Sequence, residues 1–63
     1  MYALIVHRYD PDTVYFIVDD DDNTALFNSR KEVTDFTKDH PLKRVVDFLI
    51  YNIEDNSIEQ VYW

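Results

Sequence analysis

The chain is 63 residues long, carries a formal charge of -7 from 13 acids against 6 Lys or Arg, and contains neither Cys nor Gly. These values exclude disulfides and thiolate metal sites and glycine-rich phosphate loops, and the sign of the charge disfavours direct binding to nucleic acid. With 46% hydrophobic and 16% aromatic residues, the composition is that of one folded domain, residues 1–63, and not of a disordered acidic tail.

Residues 2–9 (YALIVHRY) and 14–18 (VYFIV) are rich in β-branched and aromatic types and flank Asp10-Pro11-Asp12-Thr13. Pro in the second turn position presets the backbone for a type I turn, so the segment reads as a β-hairpin. Residues 19–24 form a loop, and Ala25-Leu26-Phe27 either adds a very short strand or leads into a helix. Ser29-Arg30-Lys31-Glu32 has the form of a capping box. Val33, Phe36, Thr37 and His40 follow on one helical face, and Pro41 stops the helix, which is expected from Arg30 to Asp39.

Residues 42–53 fit two patterns. Leu42, Val45, Val46, Leu49, Ile50 and Ile53 make a helical stripe, but the density of β-branched and aromatic residues favours a strand. The alternating segment 58–63 completes that reading, with a tight turn at Asp55-Asn56 and a second hairpin. The expected fold is α+β in the order ββαββ: a four-stranded antiparallel sheet with one helix.

A sheet with one wet face alternates apolar and polar residues, and these strands barely do. Val14, Phe16 and Val18 oppose Tyr15 and Ile17. Leu4 and Val6 oppose Ala3 and Ile5. Phe48 and Ile50 oppose Leu49, Tyr51 and Ile53. Both sheet faces are largely apolar, and one short helix cannot cover both. A chain of this size buries only about 60% of its unfolded surface, and small domains usually recruit a metal, disulfides or a partner. The expectation is a homodimer through Tyr15, Ile17, Leu49 and Tyr51, or docking on another protein.

No motif supports catalysis. Four consecutive aspartates, residues 19–22, suggest calcium, but no register of the EF-hand pattern places Gly and Glu where that loop needs them. Neither a metal nor another cofactor is expected. Ser29 is a helix cap and Ser57 a turn residue. His7 and His40 have no base-and-nucleophile partner identifiable in sequence. The segment Met1 to Val6 is too short for a signal peptide or a membrane span, so the expected compartment is the cytoplasm, the host's if the protein is viral.

The charge is concentrated. Residues 10–22 hold six acids and no base, residues 47–63 hold four acids and no base, and residues 30–44 hold five bases against three acids. Carboxylates on a rigid sheet can stand where duplex phosphates stand and capture a basic site, with aromatic residues as anchors. Asp19, Asp20, Asp21, Asp22, Glu54, Asp55 and Glu59 supply charge; Tyr15, Tyr51, Tyr62 and Trp63 supply anchors. In composition alone, the chain resembles the small, acidic, cysteine-poor mimics of nucleic acid that bacteriophages often encode. The expectation is a non-catalytic inhibitor that blocks a nucleic-acid-processing host protein through its basic surface. The alternative is a small self-associating structural or adaptor domain whose acidity serves solubility.

Overall fold

The computed structural model describes residues 1–61. In chain order the elements are β1 (Tyr2–Tyr9), β2 (Asp12–Phe16), β3 (Leu26–Phe27), α1 (Arg30–Lys38), β4 (Val46–Asn52) and β5 (Ser57–Gln60). They make an α+β arrangement of one antiparallel sheet, ordered β2-β1-β4-β5 with β3 also paired to β1, and one helix among the described residues. The sheet has five strands where four were expected. β2 pairs only with residues 5–9 of β1, so Tyr2 and Ala3 remain free to pair with Phe27 and Leu26.

The first hairpin is tighter than the sequence suggested. Tyr9 and Asp12 are its last pair, which leaves Asp10-Pro11 as a two-residue turn with a cis peptide between them. Pro11 therefore occupies the third turn position, which a type I turn disfavours, and β2 spans Asp12–Phe16 in place of residues 14–18. The second hairpin is looser than expected. Asn52 pairs with Ser57, so residues 53–56 form a four-residue turn. The Asn52 Oδ1 accepts from the backbone N–H of Glu54 (3.1 Å) and Asp55 (3.3 Å). Asn56 closes the turn at φ 53°, a conformation that Asn tolerates better than other non-glycine residues.

The helix begins as its capping box dictates. Ser29 Oγ accepts from Glu32 N–H (3.2 Å), and Glu32 Oε2 reaches back one residue further than expected, to Asn28 N–H (2.7 Å). It ends at Lys38, one residue early, with Asp39 as its cap. His40 Nδ1 accepts from Leu42 N–H (3.1 Å) and ties down the turn after Pro41. On the exposed side, the hydrogen bond from Lys31 to Asp35, aided by charge attraction, holds the Lys31 amine above its usual pKa. The helical stripe over residues 42–53 is not used: residues 41–45 form turns, and β4 follows.

The core sits between the helix and one sheet face. Leu4 pairs with Ile50 and Val6 with Phe48, and residues directly opposed in a ladder project to the same side. These four join Val33, Val46 and Val61 in one buried cluster, flanked by Tyr2, Ile17, Phe27 and Leu42. Thr37 is buried too, its hydroxyl shared between the carbonyls of Val33 and Thr34 at 3.1 Å each. His40 stands edge-on to Phe48 with ring centroids 5.3 Å apart.

Two leucines on opposite sides of the sheet test this one-sidedness. Leu4 is fully buried and Leu26 is 53% exposed. In urea titrations, Leu4→Ala is expected to lose about 2–5 kcal/mol, and Leu26→Ala to stay within about 0.5 kcal/mol of the parent.

Candidate protein-binding surface

The face opposite the helix follows from the register. Leu26, Ala3, Tyr51 and Ile58 form one row across β3, β1, β4 and β5. Phe16, Ile5, Leu49 and Gln60 form the next, across β2, β1, β4 and β5. Val14, His7 and Asp47 form a third. No helix or strand lies over these rows among the described residues. Ala3 and Ile5 are nonetheless buried, because larger neighbours flank them. Those neighbours face solvent: Val14 is 65% exposed, Ile58 60% and Phe16 42%. The rings of Phe16 and Tyr51 lie 6.2 Å apart across β1. Tyr51 is held by its hydroxyl, which donates to Asn56 Oδ1 (2.6 Å).

The other end of the same face is polar. His7 Nε2–H donates to Asp12 Oδ1 (2.7 Å), and the Tyr9 hydroxyl donates to Asp47 Oδ2. The His7 and Tyr9 rings are 4.5 Å apart. The face thus grades from aliphatic and aromatic residues near the start of β1 to hydrogen-bonded polar pairs near its end.

The acidic loop stands beside the apolar end. Phe16 pairs with Ile5 and Leu26 with Ala3, so β2 and β3 lie along the same edge of β1, and residues 18–25 are an excursion between them. Ile17 N–H donates to Leu4 O (2.9 Å) on one side of the break, and Ala25 N–H donates to Ile17 O (2.9 Å) to close its base. Val18 and Thr24 form a bridge above that. At the tip, Asp19 Oδ1 accepts from the N–H of Asp21 (2.9 Å) and Asn23 (3.1 Å), and Asp22 takes φ 63°. Asp19 is therefore the residue that shapes the turn. Asp20, Asp21 and Asp22 are exposed, and their carboxylates hold no side-chain partner among the described residues.

The remaining candidates are dispersed. Glu54 lies 3.5 Å from the Met1 amino group, and Asp55 accepts from Asn52 Nδ2 (3.2 Å). Their turn is at the same end of the sheet as residues 19–22 but joins β4 to β5, two to three strand steps or about 10–14 Å from the edge that carries the loop. Glu59 pairs with Ile50, on the helix side, and forms an ion pair with Arg30. Tyr15 pairs with Val6 and also faces the helix side, while Ile17 packs against the core. Of Tyr15, Ile17, Leu49 and Tyr51, only the last two share the open face. Tyr62 and Trp63 lie outside the described residues.

Val14, Phe16, Leu26 and Ile58 are the open-face residues that sequence reasoning passed over. A signal for the first two existed. A hairpin turn of two or four residues pairs odd positions of β1 with even positions of β2, which puts Val14 and Phe16, not Tyr15 and Ile17, beside Ile5.

Among the described residues, no three His, Asp or Glu side chains are placed to hold a metal ion, no pocket opens, and no helix is long and apolar enough to cross a membrane. The chain matches no protein-family model, no curated protein and no solved structure.

The loop separates a structural aspartate from three displayed ones. Asp19→Ala is expected to cost about 0.5–1.5 kcal/mol, read as a fall of several degrees in Tm. Changing Asp20, Asp21 and Asp22 together to Asn relieves repulsion, so Tm should hold or rise.

Proposed function

We propose that the protein is a non-catalytic inhibitor that docks on a protein with a basic surface, of the nucleic-acid-processing kind, in the manner of the acidic mimics encoded by phages. One observation carries the reading. Three carboxylates without a side-chain partner among the described residues are held out on a loop that leaves the sheet between Phe16 and Leu26, at the margin of an apolar face that no described element covers. Charge of one sign steers a basic partner into contact and sets its orientation. Apolar and aromatic residues beside it, Phe16, Leu26 and Tyr51, supply the desolvated contact that retains the partner. The place of action that fits this role is the cytoplasm, the host's if the protein is viral.

The bare face favours a second reading, a homodimer or adaptor in which two copies cover each other's sheets. Contiguous apolar patches of this sort are unusual on soluble monomers. Salt distinguishes the two readings: electrostatic capture weakens as ionic strength rises, whereas association through an apolar face persists.

The test is capture from a bacterial lysate at low and high salt, with duplex DNA as competitor. The reading expects nucleic-acid-binding proteins to be retained at low salt, released by DNA, and lost to the variant in which Asp20, Asp21 and Asp22 are Asn. Equal retention by that variant contradicts it.

A further inference from the structure

We propose that the outer edge of β2 receives an extended segment of the partner, as an added strand with an apolar centre and cationic ends. This rests on the basic-partner reading above and specifies how such a partner is held.

The backbone carries the first half of the argument. Ile17 N–H donates to Leu4 O, which makes Leu4 opposite Ile17 a position whose backbone groups point across the ladder. Positions of this kind alternate along an antiparallel ladder, and the register then makes Tyr15 with Val6 and Thr13 with Arg8 the hydrogen-bonded pairs of β2. Val14 and Phe16 occupy the intervening positions, so their N–H and C=O groups point away from β1. No other strand pairs with that edge among the described residues. All five residues of β2 are exposed. Proteins usually guard an edge of this kind with charged side chains or proline; here the only such residues are Pro11 and Asp12 at its entry, and Thr13 to Phe16 carry neither.

The charges carry the second half. Asp10 and Asp12 stand at one end of β2 and residues 19–22 at the other, with no base from residue 10 to residue 22. Arg8, on the adjoining strand, is the nearest cation in sequence. A second copy is a poor occupant, because antiparallel pairing of β2 with itself sets Asp12 of each chain toward the aspartate loop of the other. An occupant with Lys or Arg at both ends, about seven residues apart, meets carboxylates at each. Its central residues would flank Val14 and Phe16 on the open face and Tyr15 on the other. Main-chain hydrogen bonds along an exposed sheet edge are an established way to hold an extended peptide.

The probe is a fluorescein-labelled peptide, Lys-Lys-Val-Thr-Val-Thr-Val-Lys-Lys, titrated by anisotropy. The proposal expects binding, at least tenfold weaker for the peptide with glutamates in place of the lysines. N-methylation of one alternating set of residues should abolish binding, and methylation of the other set should leave it. Val14→Pro in the protein should also abolish it. The Val14 N–H is not used within the sheet, and proline is tolerated at such edge positions, so circular dichroism should show a folded variant. Three results would overturn the proposal: no binding of the lysine peptide, equal effects of the two methylation sets, or undiminished binding to a folded Val14→Pro. If any of these occurs while DNA-releasable capture of basic proteins persists, the edge assignment fails and the basic-partner reading stands. If capture is lost as well, both fail.

Discussion

One helix of nine residues has to cover a sheet of five strands, and it covers one face. The hydrophobic drive to bury Leu4, Val6, Phe48 and Ile50 is met by Val33 and the flanking Phe27, Ile17 and Leu42. Nothing in the described chain does the same for the other side. Ala3 and Ile5 are buried there beneath larger side chains of the same face, among them Phe16 and Tyr51, whose rings approach across β1. Every functional idea about this protein starts from that asymmetry, because a dry face and a bare face lie back to back on the same strands.

The aspartate run takes its meaning from where the chain leaves the sheet. In isolation, four like charges in sequence are a solvated turn. Here they are the tip of an excursion that interrupts the β2–β3 edge, with its base closed by backbone hydrogen bonds and its first member used to form the turn. Repulsion among the other three is tolerated because they stand in water. The loop also places exposed carboxylates between Phe16 and Leu26 along that edge. Asp19 differs from Asp20, Asp21 and Asp22 because its carboxylate accepts the backbone N–H groups that close the turn.

Much of the fold was legible. The capping box at Ser29 and the Pro41 stop bounded the helix to within a residue, since both act through local backbone groups. Both hairpins were legible from β-rich runs flanking turn residues. The choice of strand over helix for β4 rested on β-branched density and held. What escaped depends on non-local pairing. β3 is two residues long; the sequence leaves Ala25-Leu26-Phe27 open between a very short strand and a lead into the helix, and the strand forms where β1 outruns β2. The position of Pro11 within its turn depends on a register set by the whole ladder. The face assignment failed for a different reason: alternation was read within each strand, but the odd-with-even pairing between strands was not applied, and so Tyr15 and Ile17 were grouped with Leu49 and Tyr51. The dispersal of Glu59 to the helix side is of the same kind, since it follows from pairing with Ile50.

The measurement that bears most directly on the central asymmetry is methyl NMR with a soluble gadolinium chelate, on protein dilute enough to sediment as a single chain. The one-sided cover predicts strong broadening of the Val14, Leu26 and Ile58 methyls and little of those of Leu4, Val33 and Val46. Equal protection of both sets in the monomer would contradict it, because some part of the chain would then lie over the face described as open.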